Sequence, residues 1–92
     1  MGITFEWDNN KAKTNVLKHD VSFEESATIF SDERTITIHD IIHSVSEKRW
    51  ITIGRSVKNR VIVVVHTERN NRIRIISSRK ASKKEKKQYE EK

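Results

Sequence analysis

Apolar and polar residues alternate from the start of the chain, where Ile3, Phe5 and Trp7 are separated by Thr4 and Glu6. A period of two puts the three large side chains on one face of a half-buried strand. Asp8 follows as the N-cap of a helix over about Asn9 to Lys18, with Ala12 and Val16 one turn apart. Ser22 and Glu25 have the spacing of a capping box. They predict a second, short helix in which Phe23, Ala27 and Phe30 fall at i, i+4 and i+7. Each helix carries one narrow apolar stripe, so each is expected to lie on a sheet.

The pattern then changes to strands. Thr35 to His39 alternates through Ile36 and Ile38, and Glu47 to Ile53 does so through Ile51 and Ile53. Gly54 to Asn59 reads as a turn. Arg60 to Thr67 contains five consecutive β-branched residues from Val61 to Val65, as in a central strand covered on both faces. Asn70-Asn71 marks a tight hairpin, because asparagine tolerates positive φ. Arg72 to Ser78 is then the antiparallel partner of the central strand, with Arg72 and Arg74 on one face. Ser82 and Glu85 form another capping box, at the head of a helix over about 82–91.

The resulting order, β-α-α-β-β-β-β-α, predicts an α+β fold. It comprises a twisted antiparallel sheet, two N-terminal helices packed on one side, and a C-terminal helix. With no proline, repeat or linker, residues 1–92 are expected to form a single domain. The last helix has few apolar anchors beyond Ala81 and Tyr89, so mobility or completion by a partner is expected there.

Composition sharpens this picture. Hydrophobic residues are 34% of the 92 and charged residues 35%, a lean core that favours a partner. The absence of cysteine excludes disulfides and thiolate metal sites. No run approaches a membrane span, and Met1 leads straight into a strand rather than a secretory signal, so the expected compartment is the cytoplasm. The net charge of +6 is concentrated at the end. Arg72, Arg74, Arg79, Lys80, Lys83, Lys84, Lys86, Lys87 and Lys92 stand there against Glu85, Glu90 and Glu91. A polyanion, most simply a nucleic acid, is the natural partner, and a solubilising tail is the plainer alternative.

Candidate chemistry follows from parity. Glu47 and Arg49 continue the face of Ile51 and Ile53 to the sheet rim, where an acid and a base could act on a phosphodiester or form a cross-strand salt bridge. Arg72, Arg74, Arg79 and Lys80 could clamp a phosphate and stabilise its transition state, or bind phosphates without chemistry. His66, at the end of the central strand, is a candidate base or acid, or simply a polar strand end. His39-Asp40-Ile-Ile-His43 resembles a helical zinc pair only superficially, because strand and turn residues surround it and no third ligand is evident. No metal site or cofactor is expected.

Over almost its whole length the chain resembles the BrnT-type toxins of bacterial type II toxin–antitoxin operons, within the RelE/ParE-like group. Phe5-Glu-Trp-Asp8, Lys11, Asn15, Lys18-His19 and Phe23-Glu-Glu25 carry the first part of the likeness. Glu47, Arg49, Trp50 and Gly54 carry the middle. Arg74-Ile-Ile-Ser77, Arg79-Lys-Ala81, Glu85 and Tyr89 carry the end. Asp20, Ser26, Ser78 and His66 stand where the family usually has Gly, Ala, Ala and Tyr.

The resemblance implies a ribonuclease that inhibits translation by cleaving RNA without a metal, through attack of the ribose 2′-hydroxyl on the adjacent phosphate. It also implies neutralisation by an antitoxin with a ribbon-helix-helix domain, assembly as a heterotetramer, and operator DNA bound only through the antitoxin. Taking the resemblance together with the residue reading above, Glu47, Arg49, His66, Arg74 and Arg79 are the expected catalytic residues, His66 on the residue reading alone. Lys18, Arg72, Lys80, Lys83 and Lys84 are the expected RNA contacts. A non-catalytic nucleic-acid-binding protein, or a toxin acting on a protein such as a gyrase, is the alternative.

Overall fold

The structure is a computed structural model that describes residues 2–91. Met1 and Lys92, the latter counted above in the basic run, lie outside them. The elements are β1 (Thr4–Glu6), α1 (Asn9–His19), α2 (Phe23–Thr28), β2 (Ile36–Asp40), β3 (Arg49–Arg55), β4 (Val61–Arg69), β5 (Arg72–Lys80) and α3 (Lys83–Glu90). A 3-10 turn, Ile29–Ser31, continues α2. This is the expected α+β order, with strand ends displaced by up to two residues.

The five strands form one sheet in the order β1-β5-β4-β3-β2. β2 to β5 are joined antiparallel, but β1 pairs in parallel with β5, placing Thr4 opposite Arg72 and Glu6 opposite Arg74. The sheet is therefore mixed rather than wholly antiparallel. Alternation along a single strand says nothing about which neighbour it will find.

β4 lies at the centre and is buried on both faces from Val61 to Val64, as its unbroken apolar run requires. Ile62, Val64 and Ile75 meet Val21, Phe23 and Ile29 in the main core under α1 and α2. Fully burying one such side chain contributes about 1.5–3 kcal/mol. Gly54 lies where β3 passes the 3-10 turn. A Cβ there would come within 2.8 Å of Thr35 Cγ2 and 3.0 Å of Ile29 Cβ, so only glycine permits the approach.

Local polar chemistry fixes the helix ends. Asp8 accepts hydrogen bonds from the N–H groups of Asn10 and Lys11. Ser82 and Glu85 form the reciprocal capping box expected for α3. At α2 only half of the expected box forms. Ser22 accepts from the Glu25 N–H, while the Glu25 carboxylate turns away to Ser56 and Arg60.

Asp20 ends α1 in the left-handed region, with φ 57°. A β-carbon is unfavourable in that region, and glycine is the usual solution. Asp20→Gly is therefore expected to raise stability by about 0.5–1 kcal/mol, less whatever its distant contacts with Arg60 and Lys80 supply. A urea melt measures this directly. The Asn70-Asn71 turn has φ 50° and 64° in succession, the geometry predicted for this hairpin.

β1 is short and covers β5 only as far as Arg74. Beyond it, the outer edge of β5 is closed by a side chain. Asn15 Oδ1 accepts from the Ser78 N–H, and its Nδ2 donates to the Val21 carbonyl and to Ser78 Oγ. Ser26 Oγ donates to the same Ser78 hydroxyl. This buried network ties α1, α2 and β5 together with all its members paired.

Candidate functional site

Ser78 faces the N-terminal helices, so its neighbour Arg79 points to the other side of the sheet. A regular strand would put Arg74, five residues away, on the opposite face from Arg79. β5 is not regular. Val65 pairs with Ser77 and His66 with Ile75, which leaves Ile76 as an extra residue, a β-bulge. The bulge restores the phase. Arg72, Arg74 and Arg79 all project from the face opposite α1 and α2, with Arg74 and Arg79 roughly 13 Å apart along the strand.

Arg74 Nη1 donates to Glu6 Oε2 at 3.1 Å, and Arg72 lies 3.7 Å from the other oxygen of the same carboxylate. Arg79 grips Glu85 of α3 through two nitrogens, at 2.7 and 2.9 Å. That fork holds the Glu85 pKa down to about 2. α3 is further held by Tyr89, which is buried and donates its hydroxyl to Asp32, and by Arg55, which pairs with Glu90. Polar anchors thus dock the helix where apolar ones are few.

Next to Arg74 the open face sinks into a depression of about 260 Å³. Lys11, Arg49, Arg69, Arg74 and Glu47 line it, with His43 on its rim and Thr67 beneath. Thr67 is 1% exposed, and its hydroxyl has no hydrogen-bond partner among the described residues. Glu47 lies before β3 rather than in it, and both its oxygens are bound by the Arg69 fork, at 2.6 and 2.7 Å. Those hydrogen bonds lower its pKa. Lys11 and Ile76 also border a second groove, of about 290 Å³, that runs along α1 to Lys18 beside Ser77.

The expected catalytic and binding residues are thus only partly brought together. Glu47, Arg49 and Arg74 share the depression. Arg79 lies farther along the same face, and Arg72 beyond Arg74 toward the hairpin. Lys80 points to the helix side, 3.7 Å from Asp20, so it and Arg79 stand on opposite faces. Lys83 and Lys84 are exposed on the first turn of α3.

His66, expected from the sequence to move protons, is not among the residues that line the depression. It is in phase with Ile62 and Val64 and is buried on the helix side. Its Nε2 lies 2.8 Å from Thr52 Oγ1, and its ring packs edge-on to Phe30. Burial pushes its pKa down to about 4. Two contributors, Arg69 and Thr67, were not singled out from the sequence. They share parity with the outward residues of β4, and the hairpin that returns Arg72 beside Arg69 was the available signal.

Among the described residues, no group of three or more His, Asp and Glu side chains is arranged to hold a metal, and no helix is long and apolar enough to cross a membrane.

A family model described as "Ribonuclease toxin, BrnT, of type II toxin-antitoxin system" matches residues 7–85. The chain belongs to this family of ribonuclease toxins. The fold is similar to that in the crystal structure of the Brucella abortus ribonuclease toxin BrnT. The TM-score is 0.67 and the identity 22%, covering 89% of this chain and all of that one. No curated protein matches.

Proposed function

We propose that this member of the family is a metal-independent endoribonuclease that inhibits translation in the cytoplasm and is neutralised by a cognate antitoxin. One observation carries the reading. Lys11, Arg49, Arg69 and Arg74 converge around an unpartnered hydroxyl on the open sheet face, with Arg79 farther along the same strand. Attack of a 2′-hydroxyl on the neighbouring phosphate builds negative charge on the phosphoryl oxygens. Guanidinium forks held beside it lower that barrier without a metal.

In this scheme Arg74 holds the scissile phosphate and Arg79 a second phosphate or the developing charge, with Arg49 orienting the strand. Glu47 fixes Arg69, and that fork competes with any proton transfer by the carboxylate. Lys18 and Lys80 flank the end of α1, and Arg72, Lys83 and Lys84 extend the cationic track as backbone contacts. The antitoxin is proposed to have a ribbon-helix-helix domain, to form a heterotetramer with the toxin, and to supply all contact with operator DNA.

The test is incubation of the purified chain with RNA in EDTA, first naked and then on translating ribosomes, beside Arg79→Ala. The wild-type chain is expected to cleave, and the variant to lose at least about 100-fold in rate while remaining folded, since Arg79 is half exposed. Intact RNA from the wild-type chain in both settings would replace this reading with a non-catalytic nucleic-acid binder or a poison of a protein target.

A further inference from the structure

The depression carries an acid–base group that this scheme leaves unused. Asp40, the last residue of β2, lies opposite Arg49 and shares its face. The chain then turns so that His43 comes back against it. His43 Nδ1 lies 2.9 Å from Asp40 Oδ2 and 3.1 Å from Oδ1, and the His43 N–H points to the same carboxylate. The carboxylate is largely buried, with 12% of its side chain exposed, whereas the imidazole is 64% exposed and lines the rim of the depression.

A carboxylate can only accept, so the neutral ring carries its hydrogen on Nδ1. Nε2 is left with its lone pair free. This is the tautomer that a general base requires, on a ring that borders the depression.

The other base on the depression is poorly suited to the work. Both oxygens of Glu47 are occupied by Arg69, and a carboxylate so stabilised takes up a proton reluctantly. Thr67, which also lines the depression, is a second observation that points to a ligand there. A buried hydroxyl without a partner is costly, and a polar group of the ligand would satisfy it.

We propose that His43, positioned by Asp40, is the general base of this site and takes the 2′-hydroxyl proton of an RNA strand lying over Thr67. The inference rests on the ribonuclease reading above. As the proton passes from O2′ to Nε2, O2′ bonds to phosphorus and the bond from phosphorus to O5′ breaks. The 5′ oxygen takes a proton from bulk water, which the open rim admits, and the bound proton later leaves Nε2 to solvent. The products are a 2′,3′-cyclic phosphate and a free 5′-hydroxyl. The charged groups facing the imidazole are Asp40 from β2, Glu47 before β3, Arg49, Arg69, Arg74, and Lys11 from α1.

The experiment compares the wild-type chain with His43→Gln and Asp40→Asn. It measures single-turnover cleavage against pH, and affinity for RNA carrying 2′-O-methyl groups, which cannot be cut. His43→Gln is expected to lose at least about 100-fold in rate and to lose the fall in rate toward acid pH, with affinity for the methylated RNA unchanged. Asp40→Asn is expected to slow cleavage at unchanged affinity. If the wild-type chain cleaves and His43→Gln keeps its rate and pH profile, the assignment is overturned and the ribonuclease reading stands. If the wild-type chain cuts neither naked RNA nor RNA on ribosomes, both are overturned.

Discussion

Arg60→Met is expected to destabilise the fold by about 3–5 kcal/mol, the largest loss predicted for any single change in this chain. Arg60 closes the turn that leads into β4 and binds the Glu25 carboxylate through Nε and Nη2. Its Nη2 also donates to the Asp20 carbonyl at the end of α1. Ser56 donates a third hydrogen bond to Glu25, at 2.7 Å. One guanidinium therefore fastens the close of α1, the opening of α2 and the β3–β4 turn. The Glu25 side chain is only 2% exposed, so removing its cation strands a charge that cannot reach water.

A loss of this size takes a large share of the 5–15 kcal/mol typical of a domain, and lowers Tm by more than about 12 °C. Glu25→Gln should cost less, because Arg60 is 27% exposed and can turn outward.

Acidity separates this account from a simple packing defect. Arg60 holds the Glu25 pKa below its ordinary value, so the contribution of the pair is complete above the usual glutamate range. It is lost as pH falls through the lowered folded value. In Arg60→Met the stranded carboxyl has a raised pKa and relaxes by protonation. The gap between variant and wild type should therefore narrow as the solution is acidified. A packing defect would leave the gap constant.

His66 should make the whole chain sensitive to mild acid. Its folded pKa is about 4, against 6.5 for a free imidazole. Between those values the unfolded chain binds a proton that the native one refuses, so stability falls as pH drops through this window. The full difference amounts to roughly 3 kcal/mol. Urea titrations at pH 7 and pH 4.5 measure most of it. His66→Phe should flatten the slope across this window. It removes the titrating group from beside Phe30, although it leaves Thr52 without the imidazole nitrogen. An unchanged slope would mean that His66 protonates in the folded chain, where the surrounding core leaves a cation no partner.

Much of this architecture was legible because one face of each element is apolar. Alternation located the strands, and the Asp8, Ser22 and Ser82 caps located the helix starts to within a residue. What failed were properties that involve distant partners. Nothing within Thr4–Glu6 announces a parallel union with Arg72–Arg74. The half-formed box at α2 was unreadable because Glu25 finds Arg60, thirty-five residues away.

The candidate site was legible in its residue types more than in their arrangement. Glu47, Arg49 and Arg74 do meet, but simple parity separates Arg74 from Arg79, and only the bulge at Ile76 reunites their faces. The same parity, applied to His66, would have placed it beside Ile62 and Val64 in the core. The uniform run around it concealed which face was which.

The pairing of residues 4–6 with residues 72–74 also sets a timetable. β1 can pack Phe5 on Phe30 early but has no strand to pair with until β5 follows, and closing so long a loop slows folding. Arg74 and Arg79 belong to the fifth strand, so a chain made only as far as the hairpin carries Lys11, Arg49 and Arg69 without them. The whole set of cations is therefore assembled only after the fifth strand has been made and has paired.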